Sequence, residues 1–207
     1  MIGVIDYLAG NSPSVMSALT HIGAPAKLVS TAEEILAADG LILPGVGAAG
    51  ATIDSLEDAG LIDALQQRVL IDKVPFLGIC VGLQVLFEHS EEDNVTCLEW
   101  LPGEVYEFPE TVRVPQIGYN EVRFTKKHPL VEGLGGSGYF YFVNSYYARP
   151  DVEEHVLGQT EYGSCFASAI AVDNIMATQF HVEKSGESGL KMLRNFVRIV
   201  EEGVKLC

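Results

Sequence analysis

The stretch FLGICVGLQVLFE, residues 76–88, is almost wholly apolar, yet it carries a single cysteine, Cys80, between two glycines. An apolar strand at 74–79, followed by a helix over 83–88, predicts a strand–turn–helix elbow of the form Gly-x-nucleophile-x-Gly. Glycines suit such a turn because its backbone is crowded and its central residue is strained. The turn would expose Cys80 at the carboxyl end of the sheet, where the N-terminus of the next helix favours a thiolate. Because free cysteines are often buried, the same pattern also fits a core residue.

The sequence on either side of this elbow predicts a parallel α/β architecture. Ser12 is predicted to cap a first helix with Pro13 at its first position, and residues 56–70 have helical periodicity. Short runs that are apolar throughout alternate with these helices, which is typical of parallel strands covered on both faces. The predicted strands are 2–6, 26–30, 41–44 and 74–79.

A different pattern occupies residues 104–172, where short segments rich in Tyr, Phe and Val are broken by Gly and Pro and predict antiparallel strands. A further strand is predicted at 174–181 and an amphipathic helix at 189–202. The apolar face of that helix consists of Leu190, Leu193, Val197 and Val200. We therefore predict one α/β domain over 1–207, an open and mostly parallel sheet with helices on both faces plus an antiparallel β extension.

The charge of the chain argues against a polyanionic partner. The net charge is -15, with 13 basic and 28 acidic residues, and Lys126-Lys127 is the largest basic cluster. Nucleic-acid binding requires basic side chains that neutralise phosphates, so we predict no nucleic-acid partner. Acidic clusters such as Glu88 and residues 91–93 are interpreted as a solvated surface.

The cysteines and the apolar segments indicate a reduced, cytoplasmic protein without a metal site. The 4 cysteines are widely spaced, with no Cys-x-x-Cys pair and no metal-ligand pattern. The N-terminus lacks the basic and apolar regions of a signal peptide, and no run of roughly 18 apolar residues predicts a membrane span. We expect cytoplasmic localisation and no membrane contact. Core positions without a catalytic role are expected for Cys97, Cys165 and Cys207.

A nucleophilic cysteine requires a general base, and His181 is the best placed of the 5 histidines. It ends the predicted strand 174–181 in the segment QFHVEKSG, residues 179–186, and Glu183 follows two residues later. An extended backbone would direct both side chains to the same side, so that the carboxylate orients the imidazole. The alternative is a solvated histidine at a strand end beside an unrelated carboxylate.

A glycine-rich turn, Pro44-Gly45-Val46-Gly47, follows the third predicted strand. Such a turn can direct backbone N–H groups toward a developing oxyanion, although it can equally be a plain connection between a strand and a helix. It is not a phosphate-binding loop, because the required glycine spacing and the lysine are absent.

Together and in this order, these segments resemble class I, triad-type glutamine amidotransferases, which have a flavodoxin-like fold. The branch that they resemble most comprises the glutaminases of imidazole glycerol phosphate synthase, in histidine biosynthesis, and the PGVG turn is particular to that branch. The resemblance spans essentially the whole chain. It rests on DYLAGN (6–11), PGVG (44–47), GICVGLQ (78–84), YFVNSYYA (141–148) and QFHVEKSG (179–186).

The resemblance implies a role for each matching residue. Cys80 would attack the side-chain amide of L-glutamine, His181 would transfer the protons, and Glu183 would orient His181. The oxyanion hole would comprise Gly45, Val46, Gly47 and the N–H of Val81. The substrate would be held by Gln84, Ser145 and Tyr146. The residues that match positions near the partner subunit are Asn11, Tyr119, Tyr141 and Lys184.

The same resemblance implies a heterodimer with a (β/α)-barrel cyclase subunit, and no cofactor. Ammonia from the glutaminase would pass to the cyclase, which forms imidazole glycerol phosphate and an aminoimidazole carboxamide ribotide. Glutaminases of this branch are nearly silent without a liganded partner, and a necessary rearrangement of the 45–47 turn is one physical account of that silence.

Some positions depart from the pattern of this branch, and they concern the partner interface more than hydrolysis. They are Leu8, Gln116, Tyr119, Asn144 and Val182. The departures at Gln116, Tyr119 and Asn144 leave open a cyclase-like partner that amidates a sugar. A non-catalytic interaction subunit is a second alternative, against which the intact Cys80, His181 and Glu183 argue. A stand-alone cysteine hydrolase is a third, and the distant QFHVEKSG segment disfavours it.

Overall fold

The computed structural model describes residues 1–8 and 10–203, and these residues form a large sheet, a small sheet and six α-helices. The strands are β1 Ile2–Ile5, β2 Ala26–Val29, β3 Gly40–Gly45, β4 Phe76–Cys80, β5 His89–Ser90, β6 Val95–Thr96, β7 Gly103–Glu107, β8 Gln116–Phe124, β9 Ser137–Asn144, β10 Tyr146–Pro150, β11 Val156–Tyr162, β12 Ser164–Val172 and β13 Ile175–Thr178. The helices are α1 Ser12–His21, α2 Ala32–Leu36, α3 Ala49–Asp58, α4 Ile62–Gln66, α5 Val81–Gln84 and α6 Gly186–Glu202.

The large sheet has the strand order β2-β1-β3-β4-β13-β12-β11-β8-β9. Its first five strands run parallel to one another. Every residue of β1, β3, β4 and β13 is buried, which explains why these segments are apolar throughout. The order 2-1-3-4 places β1 between β2 and β3, as in doubly wound sheets whose sites lie at the carboxyl ends of the strands. The predicted parallel core is confirmed.

The remaining strands of the large sheet, β12, β11, β8 and β9, continue it in antiparallel fashion. This is the predicted antiparallel extension. The small sheet, in the order β10-β7-β5-β6, was not predicted as a separate layer. Period-2 patterning indicates that a segment is a strand, but it does not indicate which neighbour that strand will pair with.

Three helix predictions were wrong in their boundaries. Residues 56–70 do not form one helix, because α3 ends at Asp58 and α4 is followed by a π-helical turn at Gln67–Ile71. Gly60 lies in the break at φ +65°, a conformation that ends a helix. The helix expected at 83–88 is instead the single turn α5. Ser12 lies inside α1, and Asn11 is the residue at its N-cap.

The last helix, α6, begins three residues before the predicted start and packs near β3, where Val200 contacts Gly40. Its most deeply buried apolar residues are Met192, Leu193, Phe196 and Ile199, so the buried stripe is centred one residue away from the predicted one. Among the residues that the structure describes, no helix is both long and apolar enough to cross a membrane.

The ends of three strands come together at one edge of the large sheet. Gly45 of β3 pairs with Cys80 of β4, and Thr178 of β13 pairs with Ile79. The 44–47 turn, the elbow and the chain that leads to His181 therefore leave the sheet side by side, which positions the candidate site.

Candidate active site

Cys80 forms the tip of a sharp turn between β4 and α5. Its φ is +57° and its ψ is -109°, which is a strained conformation for a residue with a side chain. The flanking glycines are required by close approach. A Cβ on Gly82 would lie 2.1 Å from the Leu43 carbonyl oxygen, and one on Gly78 would lie 2.3 Å from the Gly82 carbonyl oxygen. The strand–turn–helix elbow predicted from residues 76–88 is therefore present.

The helix behind the elbow is shorter than the sequence analysis expected. Because α5 comprises only Val81–Gln84, it has too few aligned peptide dipoles for its N-terminus to favour a thiolate strongly. Cys80 is also largely buried rather than exposed, with 4% of its surface accessible. We therefore expect neighbouring side chains, rather than the α5 dipole, to stabilise the thiolate of Cys80.

His181 is held by backbone contacts rather than by the end of a strand. Strand β13 ends at Thr178, and the His181 N–H donates to the Tyr141 carbonyl oxygen at 2.9 Å. Residues Val182–Lys184 then form a 3₁₀ turn. The prediction of an extended backbone was wrong here, but the turn brings the Glu183 carboxylate onto the ring, with Nδ1 to Oε1 at 2.8 Å.

Glu183 is enclosed and has a second partner. Its side chain is 0% exposed, and Asn11 Nδ2 donates to the same Oε1 atom at 2.8 Å. Asn11 is 172 positions away in the chain. The Asn11 amide therefore helps to orient the carboxylate that accepts the imidazole N–H.

The contacts of His181 favour its charged form. Burial by itself lowers the pKa of His181, but the interactions of the ring with Cys80 and Glu183 outweigh burial and raise that pKa to about 9. Such a ring carries a proton at neutral pH, and a protonated imidazole stabilises a neighbouring thiolate. The arrangement suits a cysteine–histidine ion pair oriented by a carboxylate.

Cys80 and His181 line one cavity of about 430 Å³. Most of the residues predicted to contact the substrate or its oxyanion line it as well, namely Val46, Gly47, Val81, Gln84, Ser145 and Tyr146. Gly45 stands just behind them, where a Cβ would lie 2.7 Å from the Val81 Cβ. The other lining residues, which were not predicted, are Glu92, Pro115, Val143 and Asn144.

Glu92 was misread from the sequence as part of a solvated acidic cluster. Its carboxylate lines the cavity and accepts the Ala49 N–H at 2.9 Å. Burial raises the pKa of Glu92, and the hydrogen bond from Ala49 opposes that rise. Charge patterning could not have identified it, because Glu91 and Asp93 have the same charge and are exposed.

Gln179 is the second side chain that sequence reasoning did not assign. It is fully buried, its Nε2 lies 3.7 Å from the Cys80 sulfur, and its Oε1 accepts from Gln84 Nε2 at 3.1 Å. Gln84 Nε2 also donates to the Tyr146 carbonyl oxygen at 3.0 Å. The amide chain thus connects the nucleophile to a residue predicted to bind substrate.

The predicted interface residues lie next to the triad. The Tyr119 hydroxyl donates to the Lys184 carbonyl oxygen at 2.8 Å, and the Tyr119 ring meets Tyr141 edge to face with centroids 5.7 Å apart. Tyr119 is 56% exposed. Asn11 contacts Glu183, as described above. Contact of these four residues with a partner subunit stays a prediction.

The departures from the resemblance have local structural accounts. Leu8 adopts φ +65° with its side chain exposed, a conformation that glycine tolerates better. Gln116 and Asn144 are direct cross-strand partners, and Asn144 lines the cavity. Val182 is fully buried within the turn that carries Glu183.

The other cysteines differ in burial. Cys97 is buried and burial raises the pKa of its thiol to about 11, as a core position implies. Cys165 is exposed, so its predicted core position was wrong; it lies in the hairpin of β11 and β12. Cys207 lies outside the described residues. Across residues 1–8 and 10–203, no group of three or more His, Cys, Asp or Glu side chains could hold a metal ion.

Sequence comparisons connect this geometry to known proteins. A family model described as glutamine amidotransferase class-I matches residues 3–200. The imidazole glycerol phosphate synthase subunit HisH of Methanocaldococcus jannaschii is 45% identical over 97% of this chain and 100% of its own length. Proteins of the same name from Moorella thermoacetica and Methanothermobacter thermautotrophicus are 46% and 47% identical, covering 96% and 97% of this chain and 95% and 99% of their own.

Structural comparisons extend the likeness to more distant proteins. A crystal structure described as glutamine amidotransferase superposes with a TM-score of 0.77 at 23% identity, over 98% of this chain and 99% of the other. The structure of PurLQS from Thermotoga maritima gives a TM-score of 0.75 at 14% identity, over 95% of this chain and 97% of that chain. At these identities the likeness shows a shared fold.

Proposed function

Because the chain belongs to the class I glutamine amidotransferase family, we propose that it is the glutaminase subunit of an imidazole glycerol phosphate synthase in histidine biosynthesis. It hydrolyses L-glutamine to glutamate and ammonia, and residues 1–207 act as one amidotransferase domain. The observation that carries this proposal is that Cys80 and His181 line one cavity while Glu183 contacts His181 Nδ1 at 2.8 Å.

The reaction begins at the Cys80 sulfur. The thiolate forms a bond to the side-chain carbonyl carbon of glutamine, and the carbonyl electron pair moves to oxygen. The N–H of Val81 and the 44–47 turn stabilise that oxyanion, since Gly45 lies directly against Val81 and both Val46 and Gly47 line the cavity. His181 then gives its proton to the amide nitrogen as the carbon–nitrogen bond breaks, and ammonia leaves.

The second half of the reaction regenerates the enzyme. Water attacks the thioester carbon, His181 accepts the proton of that water, and the carbon–sulfur bond breaks to release glutamate. Glu183 keeps Nδ1 protonated and directed, so that Nε2 is the atom that exchanges protons. Consistent with that role, His181 Nε2 is buried and has no hydrogen-bond partner among the described residues.

The cavity offers complementary groups for the substrate's ends. Gln84 Oε1 is buried and has no hydrogen-bond partner within the part of the chain that the structure describes, and Ser145 and Tyr146 line the same cavity. Glu92 supplies a carboxylate for the α-ammonium of glutamine, and a bound cation would offset the cost of its partial burial.

Ammonia must reach its acceptor before it is protonated, because ammonium in bulk water is not a nucleophile. A (β/α)-barrel cyclase subunit bound beside the Tyr119 and Lys184 surface would receive it in a heterodimer. The three relatives named above are all subunits of imidazole glycerol phosphate synthase, which favours this partner over a cyclase-like protein that amidates a sugar.

The proposal is tested by a glutaminase assay of the complex with its co-purifying barrel protein and that protein's nucleotide substrate. Cys80→Ala is expected to lower the rate at least a thousandfold, because the covalent route is lost and losses of a nucleophile in comparable enzymes reach about a millionfold. The matched control is Cys165→Ala, an exposed thiol outside the cavity, which is expected to keep full activity. Undiminished hydrolysis by Cys80→Ala would refute the assignment.

A further inference from the structure

Gln179 has a contact that the reaction described above does not use. Its side chain is fully buried at the end of β13, and its Nε2 lies 3.7 Å from the Cys80 sulfur, within hydrogen-bond range for sulfur. A buried amide in contact with a nucleophile is either a donor or an acceptor toward it. Which of these it is depends on the orientation of the amide.

The neighbouring backbone determines that orientation. The Tyr146 carbonyl oxygen can only accept, so the Gln84 atom that contacts it at 3.0 Å must be the NH₂ group. The other hydrogen of that NH₂ group then faces Gln179 at 3.1 Å, which must present its oxygen there. The remaining end of the Gln179 amide, its NH₂ group, is consequently the end that faces Cys80.

From this chain of contacts we infer that Gln179 is a positioning residue for Cys80. The side-chain N–H of Gln179 donates to the thiolate and holds the sulfur at the cavity, and Gln84 keeps the Gln179 amide in that orientation. The inference rests on the proposed role of Cys80 as nucleophile. A donor to the charged form favours that form, so the contact promotes the reactive thiolate.

The charged surroundings of Cys80 show why a neutral donor is useful there. His181 and Glu183 face it from the segment after β13, Glu92 lines the same cavity from the segment after β5, and Tyr7 interacts with it from the end of β1. Of these groups only His181 can carry a positive charge. Two carboxylates oppose the thiolate, and the Gln179 N–H supports it without adding a further charge.

The inference is tested by the pH dependence of Cys80 alkylation with iodoacetamide, followed by peptide mass spectrometry, which needs neither glutamine nor a partner. Gln179→Met keeps the side-chain length and removes the donor. The midpoint of the alkylation profile is expected to rise by about one pH unit, the scale of one hydrogen bond to a charged group. Gln179→Glu places a carboxylate at the same distance and is expected to raise the midpoint further.

Two other variants separate positioning from structure. Gln84→Met frees the Gln179 amide to rotate and is expected to raise the midpoint by less than Gln179→Met. Thr178→Val, at the residue before Gln179, removes a buried hydrogen bond to the Phe180 carbonyl oxygen. Among the described residues, the Thr178 hydroxyl makes no hydrogen bond to Cys80. The substitution is expected to lower the melting temperature and to leave the alkylation midpoint unchanged.

An unchanged midpoint in Gln179→Met, or a shift equal to that of Thr178→Val, would overturn the inference. Should Gln179→Met not fold, Gln179→Glu retains an acceptor for Gln84 and decides the question by the same criterion. In the glutaminase assay, Gln179→Met is expected to lower kcat about tenfold, with KM within roughly twofold of the wild-type value. Since the alkylation readout does not involve catalysis, failure of this inference and failure of the proposed function are distinguishable.

Discussion

Cys80 has a strained backbone conformation, and its sulfur is contacted by the Gln179 amide. A positive φ on a residue with a side chain costs on the order of 1–3 kcal/mol, and such strain persists only where the surroundings enforce it. The enforcement here is the close packing of Gly78 and Gly82 against main-chain carbonyls. The strained turn places Cys80 at the cavity that His181 also lines, and the Gln179 amide contacts its sulfur.

The protonation of His181 makes stability depend on pH. Its pKa is raised to about 9 in the folded chain, because Cys80 and Glu183 outweigh its burial, against the ordinary value of 6.5. The folded state therefore binds more protons between these two values, and its stability falls as pH rises through that window. The contribution is fully present below pH 6.5 and lost above about 9.

We expect the contribution of His181 to the free energy of unfolding to decrease between pH 6.5 and 9, and this contribution is the difference between the wild-type profile and that of a variant without the imidazole. Urea denaturation at a series of pH values measures it. His181→Gln, which can still donate to Glu183, is expected to show a flatter profile over the same window. Parallel profiles for the two proteins would contradict the assigned direction of the shift.

At the scale of elements, the segment after β1 connects two parts of the site. The Tyr7 hydroxyl donates to the Pro44 carbonyl oxygen at 2.8 Å, at the start of the 44–47 turn. A few residues later, Asn11 contacts Glu183. One short segment thus contacts both the proposed oxyanion turn and the triad carboxylate, so a displacement of it would affect both.

Tyr7→Phe is expected to loosen the 44–47 turn while the ring stays packed. Loss of this buried hydrogen bond should lower the free energy of unfolding by about 1 kcal/mol, and it should lower kcat a few-fold more than it changes KM. Chemical denaturation and steady-state glutaminase kinetics of the complex measure the two effects.

Thr160→Val is the matched control, because it removes a buried hydroxyl contact, to Ser168, in the antiparallel part of the large sheet. It is expected to cost similar stability without lowering kcat. If Tyr7→Phe and Thr160→Val had the same kinetic constants, Tyr7 would have no role in positioning the turn.

At the scale of the whole molecule, the β8–β9 hairpin links an exposed surface to the triad. Tyr141 of β9 accepts the His181 N–H, and its own N–H donates to Ser185 Oγ at 2.9 Å. The Tyr119 hydroxyl of β8 donates to the Lys184 carbonyl oxygen in the same segment. A partner bound to this hairpin would therefore contact the element that supports His181 and Glu183.

Tyr119→Ala is expected to weaken association with the cyclase subunit about tenfold or more, because aromatic side chains dominate the energy of most interfaces. Isothermal titration calorimetry with the co-purified barrel protein measures the affinity. Tyr119→Phe keeps the ring and is expected to bind nearly as well, although it loses the bond to Lys184.

Tyr106→Ala, in the small sheet, serves as the control for a general loss of an aromatic side chain. It is expected to leave the affinity unchanged. Wild-type affinity in Tyr119→Ala would place the interface elsewhere on the molecule.

The sequence alone identified the features that depend on nearby residues. Residue types at short spacings predicted the apolar strands, the glycine-flanked Cys80 and the pairing of His181 with Glu183. The alternation of strands and helices predicted the fold class. Predicted boundaries failed where a local signal competed with packing. Examples are the helix expected at 83–88, which is one turn long, and the extended backbone expected after His181, which is a 3₁₀ turn.

Only the tertiary structure decided which distant side chains meet. Asn11 contacts Glu183, which is 172 positions away in the chain, and Gln179 contacts Cys80, which is 99 positions away. Glu92 lines the cavity although it belongs to an acidic segment of the sequence. The physical reason is that the order of strands in the sheet sets these contacts. Local propensity and patterning determine which segments become strands, whereas the pairing of those strands depends on the burial of the entire core.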